Sequence, residues 1–129
     1  MDQSVSLSHS KLVGFIPSID LARSRIFFEQ TLGLRIIEES PFALVFDAAG
    51  TMLRVTLVQE LKPQPFTVLG WQVDSIEDAV RTLSDRGVEF LRYPGMNAAN
   101  PMGIWTAPSG AQVAWFKDPD SNVLSLSQF

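Results

Sequence analysis

The sequence has no cysteine, one histidine and no long apolar run, and each of these absences removes a class of function. Without cysteine the chain can form neither a disulfide framework nor a catalytic thiolate. No segment approaches the roughly 18 apolar residues of a membrane-spanning helix. The first ten residues lack the basic and then apolar pattern of a secretory signal. We therefore expect a cytoplasmic protein that does not bind membranes.

Basic residues are also scarce, with 10 Lys and Arg against 14 Asp and Glu, and the net charge is −4. They are scattered rather than gathered in a stripe, so nucleic acid is not an expected partner. Hydrophobic residues make up 46% of the 129 residues, which is enough for a core. A chain of this length is one domain, or two small halves that share a core.

The order of the predicted elements is β-α-β-β-β, and it occurs twice. We expect a flexible tail at residues 1–10, a first module at 11–58 and a linker with two prolines at 59–65. The second module follows at 66–129 and contains an inserted loop at 94–110. The repeat aligns Gly14 with Gly70, and Phe46 with Phe116. Each module alone leaves one sheet face in water. The predicted fold is therefore α+β, with two tandem βαβββ modules forming one curved sheet around a central cleft.

Local signals fix several details of this prediction. Ser18 or Asp20 can cap the first helix, and Ser75 can cap the second. The segment "VEFLRY", residues 88–93, is predicted as a strand. Alternation places Phe15 and Trp71 under the helices. Asp118 and Asp120 belong to a turn sequence, and His9 to the polar tail, so none of the three is expected to do acid–base or metal chemistry.

The tandem pattern, the segment "DLARSRIFFEQTLGLRI" and the segment "WFKDPDSNVLSL" resemble the vicinal oxygen chelate superfamily. That group includes glyoxalase I, bleomycin-resistance proteins, fosfomycin-resistance transferases and extradiol dioxygenases. The resemblance extends from residue 11 to the end of the chain and rests on scaffold motifs. It implies modules that pair edge to edge, within one chain or between two, and we expect a homodimer because uncovered strand edges favour association.

Most enzymes of this superfamily hold a divalent metal. The resemblance implies a His or Gln ligand on the first strand of each module and a Glu ligand on the last. Repeat symmetry carries these positions to Leu12 and Val68 on the first strands, with Val13 and Phe66 as alternative registers. On the last strands the positions are Arg54 and Ser125. Aliphatic, cationic and hydroxyl side chains are not such ligands, so we expect no metal and no cofactor.

The same positions outline a candidate ligand site. We expect an apolar cleft between the modules, with Arg54 able to hold a carboxylate and Trp105 near the rim as a flat apolar surface. The alternative for Arg54 is that its stem carries the charge to solvent. Trp105 and Tyr93 flank residues 94–103 of the insertion, a stretch rich in Gly, Asn and Pro that is a candidate lid. The predicted lining residues are Leu12, Gly14, Arg54, Phe66, Val68, Trp105 and Ser125.

Three functions remain open at this point. The first is a metal-free protein that binds a small apolar or aromatic molecule and catalyses nothing. The second is a glyoxalase-type lyase, isomerase or transferase whose metal ligands lie at other residues. The third is a structural or regulatory dimer without a ligand. A metal site of this type normally includes at least one histidine, and the only histidine here lies outside the predicted strands, which favours the first function.

Overall fold

The structure, a computed structural model, describes residues 6–93 and 100–129. Residues 1–5 of the predicted tail and residues 94–99 of the predicted lid lie outside the described ranges. A short 3₁₀ turn (Leu7–His9) precedes the first strand. The remaining elements are β1 (Val13–Ser18), α1 (Leu21–Arg25), β2 (Arg35–Glu39), β3 (Ala43–Ala48), β4 (Thr51–Leu57), β5 (Thr67–Gln72), α2 (Ile76–Asp85), β6 (Trp105–Thr106), β7 (Gln112–Lys117) and β8 (Val123–Gln128).

The strands form two four-stranded sheets with the same topology. Their orders are β1-β4-β3-β2 and β5-β8-β7-β6. In each sheet the first strand is parallel to the last strand of its module, and the other pairs are antiparallel. The predicted α+β class with two tandem βαβββ modules is confirmed.

Both helices begin where the sequence predicted. Asp20 accepts a hydrogen bond from the backbone N–H of Arg23 at 3.1 Å, and Ser75 accepts one from the backbone N–H of Asp78 at 3.2 Å. Such caps satisfy N–H groups that the first turn of a helix leaves free. After α1 the chain continues without a break into a π-helical segment (Ile26–Thr31).

The prediction of a full strand at 88–93 was wrong. Within this segment only Phe90 forms a bridge, to Phe116 of β7. The neighbouring Arg92 turns its guanidinium to the carbonyl oxygens of Asn100 and Pro101. The segment therefore lies along β7 only briefly before the chain leaves the sheet, and the short β6 completes the sheet edge.

The two sheets share one core. In β1, Ile16 and Ser18 are buried, whereas Val13 and Phe15 are exposed. The buried face of each sheet packs on the helices, and Phe27 of the π-helical segment lies 6.4 Å from Phe116 of β7 between ring centroids. The core is a single cluster with members from both modules. Consequently the other face of each sheet, here called its open face, points away from this core.

The turn between β7 and β8 is built by Asp118. One oxygen of its carboxylate accepts hydrogen bonds from the backbone N–H groups of Asp120 and Asn122, both at 2.9 Å. Burial raises the pKa of the Asp118 carboxyl, although these bonds oppose the shift. The carboxyl group of Asp118 thus binds its proton more tightly in the folded chain than in the unfolded chain. As the pH rises from the ordinary pKa of 3.8 to the folded pKa, the stabilisation that this protonated group gives to the folded chain is therefore lost.

Asp120, in the same turn, links the two modules. Its side chain is 0% exposed. It accepts hydrogen bonds from the backbone N–H of Ile19 at 3.1 Å, the guanidinium of Arg23 at 2.9 Å and the hydroxyl of Ser24 at 3.2 Å. All three donors belong to the first module. The sequence interpretation of Asp120 as a turn residue was therefore incomplete.

Candidate functional site

The open face of the first sheet carries the candidate cation. Phe15 of β1 lies opposite Arg54 of β4, which in turn lies opposite Val45 of β3. Phe15 is 64% exposed, so the prediction that it packs under a helix was wrong. Residues 12–16 are apolar apart from Gly14, so alternation alone did not show which face of β1 is buried. Arg54 is half-buried on this face.

Two of the predicted lining residues are displaced from the first open face. Leu12 lies before β1 and is 76% exposed, beside the hollow that Val13 and Met52 also line. Gly14 points toward the core, since a Cβ there would lie 3.4 Å from a methyl carbon of Leu53. The open-face residues of β1 are therefore the odd-numbered ones. Of the two first-strand positions that the sequence offered, Val13 lies on the open face, whereas Leu12 lies before the strand.

The open face of the second sheet centres on Ser125. This residue lies opposite Gly70 of β5 and Trp115 of β7, and it is buried. A Cβ at Gly70 would lie 2.5 Å from the Ser125 hydroxyl oxygen, so only glycine allows this close approach. Phe66 lies just before β5 and is exposed. Val68 lies at the bulge in β5 and is also exposed.

Three aromatic side chains form a cluster beside Ser125. Trp115 lies 5.7 Å from Tyr93 and 6.1 Å from Trp105 between ring centroids. The indole N–H of Trp115 donates a hydrogen bond to the hydroxyl of Thr67 at 3.1 Å. The three rings are called the aromatic cluster below. They present apolar ring surface on the open face, with interplanar angles of 81° between Tyr93 and Trp115 and 41° between Trp105 and Trp115. The sequence analysis found Trp105 and Tyr93 but missed Trp115, although its position next to the core residue Phe116 placed it on this face.

Strand registers define which positions of the two modules correspond. Phe46 lies opposite Leu53 in the first module, and Phe116 lies opposite Leu124 in the second. Arg54 and Ser125 each follow these partners, so they correspond, as the repeat predicted. Gly14 and Gly70 do not correspond, because Gly70 lies opposite Ser125 whereas the partner of Arg54 is Phe15. The first open face thus offers an aromatic ring and a cation where the second offers a glycine backbone and a hydroxyl in close contact with it.

These donor sets do not fit a divalent metal. Arg54 brings a positive charge to one of the two equivalent last-strand positions, and Ser125 brings a hydroxyl to the other. In the ranges 6–93 and 100–129, the His, Cys, Asp and Glu side chains form no group of three or more that could hold a metal ion. His9 is exposed on the 3₁₀ turn before β1. The residues at the superfamily ligand positions therefore do not fit a metal-dependent mechanism.

The family model described as Glyoxalase/Bleomycin resistance protein/Dioxygenase superfamily matches residues 10–126. The chain belongs to this superfamily. No curated protein matches the sequence. Residues 6–93 and 100–129 contain no helix that is long and apolar enough to cross a membrane.

Solved structures of the superfamily share the fold over nearly the whole chain. A glyoxalase/bleomycin resistance protein/dioxygenase from Alicyclobacillus acidocaldarius is 17% identical, with a TM-score of 0.71 and coverage of 94% of this chain and 92% of that one. A lactoylglutathione lyase from Agrobacterium tumefaciens is 12% identical, with a TM-score of 0.73 and coverage of 93% of each chain. A superfamily member from Sphaerobacter thermophilus is 22% identical, with a TM-score of 0.71 and coverage of 92% and 96%. Identities this low support the fold alone, so function must be argued from the open faces.

Proposed function

We propose that this superfamily member binds a planar aromatic acid without a metal. The ligand would lie in a cleft between the open face of the first sheet and the open face of the second sheet. The observation that carries the proposal is the aromatic cluster next to the Ser125 hydroxyl, because it offers ring faces for stacking beside a polar group. Aromatic walls with a few polar groups are typical of small-molecule sites. The Ser125 hydroxyl is the polar group at the floor of this half of the cleft.

The proposed cleft requires a homodimer. Within one chain the two open faces point away from the shared core, so they do not line a common cleft. A second copy can place its first open face over the aromatic cluster of its partner, and the two-fold axis repeats the arrangement. Exposed apolar side chains support this pairing on both faces, namely Val13, Phe15 and Met52 on the first and Phe66 and Val68 beside or on the second.

Arg54 supplies the charge that selects an acid. Its side chain is half-buried between Phe15 and Val45, and it takes part in no ion pair within the described residues. Removal of a guanidinium from water without an anion is costly, so a cleft that closes over Arg54 favours a ligand with a carboxylate.

Purified protein is expected to contain no stoichiometric Zn, Ni, Fe or Mn, because the superfamily ligand positions carry no metal-binding side chains. Elemental analysis of protein prepared without chelator tests this expectation. About one transition metal per chain, whose removal abolishes a catalytic activity, would instead support a glyoxalase-type enzyme with ligands elsewhere in the chain.

Arg54→Ala is expected to weaken the binding of 2-naphthoate by about 1.5–3 kcal/mol, the usual effect of losing a hydrogen bond to a charged group. Binding of the neutral analogue 2-naphthol should change little, because it keeps the stacking surface and lacks the carboxylate. Isothermal titration of both compounds against both proteins measures the difference.

Arg35→Ala is the matched control, since Arg35 is an exposed arginine near the edge of the same sheet and pairs with Asp47 at 3.7 Å. It should leave both affinities unchanged. Trp115→Ala should weaken both compounds, because both stack on the aromatic cluster. Equal affinity of 2-naphthoate for the Arg54→Ala variant and the unchanged protein would remove the anion site from the proposal.

A further inference from the structure

A second cavity lies at the joint between the modules, on the core side of the second sheet. Its volume is about 350 Å³. Leu32 and Leu34 of the first module form one wall, and Trp71, Ala79 and Leu83 of the second module form the other. Trp71 is adjacent to Gly70 and points to the opposite side of β5. This cavity is therefore separate from the proposed cleft on the open faces.

The mouth of the cavity carries a fixed cation. The guanidinium of Arg86 donates a hydrogen bond to the carbonyl oxygen of Thr31 at 2.9 Å, which holds it between the modules. Over the described ranges, no carboxylate forms an ion pair with Arg86. Asp78, also at the rim, lies 3.3 Å from the guanidinium of Arg81. The unmatched charge at the mouth is thus positive, above walls that are mostly apolar.

We propose that this cavity binds an amphipathic carboxylate with a medium-length alkyl chain, its tail against Trp71 and Leu83 and its carboxylate at Arg86. The cavity volume is near the lower end of the roughly 300–1,000 Å³ of small-molecule sites, which suits a short ligand. A guanidinium with free N–H groups binds a carboxylate through parallel hydrogen bonds. This site does not depend on the proposed cleft or on dimer formation.

The probe is a series of straight-chain carboxylates, hexanoate, heptanoate and octanoate. Affinity should rise about fourfold for each added methylene that the cavity buries. Binding is followed by the fluorescence of Trp71 in the full chain carrying Trp105→Phe and Trp115→Phe, where Trp71 is the remaining tryptophan. This background also removes the aromatic cluster from the readout.

Ala79→Leu fills the cavity and should weaken octanoate by about tenfold or more, as expected when added side-chain volume must be displaced. Ala22→Leu, at an exposed position of α1, is the matched control and should leave octanoate binding unchanged. Arg86→Gln should weaken octanoate about fivefold, because the ion pair lies at an exposed mouth, and should leave the affinity of 1-octanol unchanged.

Thr82→Phe narrows the mouth from an exposed position, and it replaces Ala79→Leu in the test if that variant does not fold. The proposal is wrong if octanoate fails to bind at millimolar concentration, if affinity is independent of chain length, or if the cavity variants bind as the control does. The cleft would be the site instead if only Arg54→Ala abolished octanoate binding. Failure of the 2-naphthoate test leaves these results unaffected, since the two sites share no residue.

Discussion

Phe15→Asp is expected to be a monomer at concentrations of tens of micromolar, where the unchanged chain is expected to be a dimer. Phe15 is the most exposed apolar side chain within the strands of the first open face, and it lies opposite Arg54. In the proposed dimer an aspartate there would be buried, and the loss of apolar burial adds to the cost of removing a charge from water. The dimer dissociation constant should rise about 100-fold or more, and sedimentation velocity measures it.

Ile26→Asp provides the control, because Ile26 is similarly exposed but lies on the helical side of the first module. This variant should stay dimeric. If the cleft is shared between protomers, Phe15→Asp should also lose the binding of 2-naphthoate. A monomeric unchanged chain would overturn the dimer proposal, and each open face would then have to be tested as a separate surface.

Asp120→Ala is expected to lower the free energy of unfolding by about 2–4 kcal/mol, a range set by the loss of several hydrogen bonds to one charged group. The fully buried carboxylate accepts bonds from Ile19, Arg23 and Ser24 of the other module. The variant leaves the Ile19 N–H and the Ser24 hydroxyl without this partner. Arg23 is half-exposed and can turn to water, which keeps the cost below that of breaking a fully buried ion pair.

Urea unfolding, followed by circular dichroism, measures the effect of Asp120→Ala. Asp78→Ala removes an exposed carboxylate that also pairs with an arginine, so it should change the stability by no more than about 0.5 kcal/mol. Asp120→Asn keeps one acceptor oxygen and should fall between the two. A loss for Asp120→Ala as small as that for Asp78→Ala would show that this carboxylate does not stabilise the joint between the modules.

Local chemistry explains what could be predicted from the sequence. The caps at Asp20 and Ser75 and the turn at Asp118 depend on bonds between residues that are close in the chain, so their residue types were sufficient. The repeat placed Arg54 and Ser125 at corresponding positions, because the last two strands of each module pair in the same register. The nature of these two side chains also argued against the usual metal site before any geometry was available.

Apart from the strand predicted at 88–93, the failed predictions concern which face of a strand is buried and which residues a side chain contacts. In β1 both faces carry apolar side chains around Gly14, so period-two alternation was satisfied by either register, and a shift of one residue moves every side chain to the other face. The structure buries Ile16 in the core, so Phe15 lies on the opposite face of β1 and is exposed to water. The position of Trp115 in the aromatic cluster likewise depends on which face of β7 is buried, since its neighbours Ala114 and Phe116 lie in the core.

The sequence by itself determined two modules, their order of elements and the chemistry at the equivalent strand positions, because these follow from local patterns and from the repeat. Only the tertiary structure decided how the modules meet. The apolar faces of both sheets contribute to one core, and a buried carboxylate from one module holds the start of the first helix of the other. Such contacts join residues about a hundred positions apart, and no local pattern encodes them. They turn the open faces outward and create the cavity at Arg86.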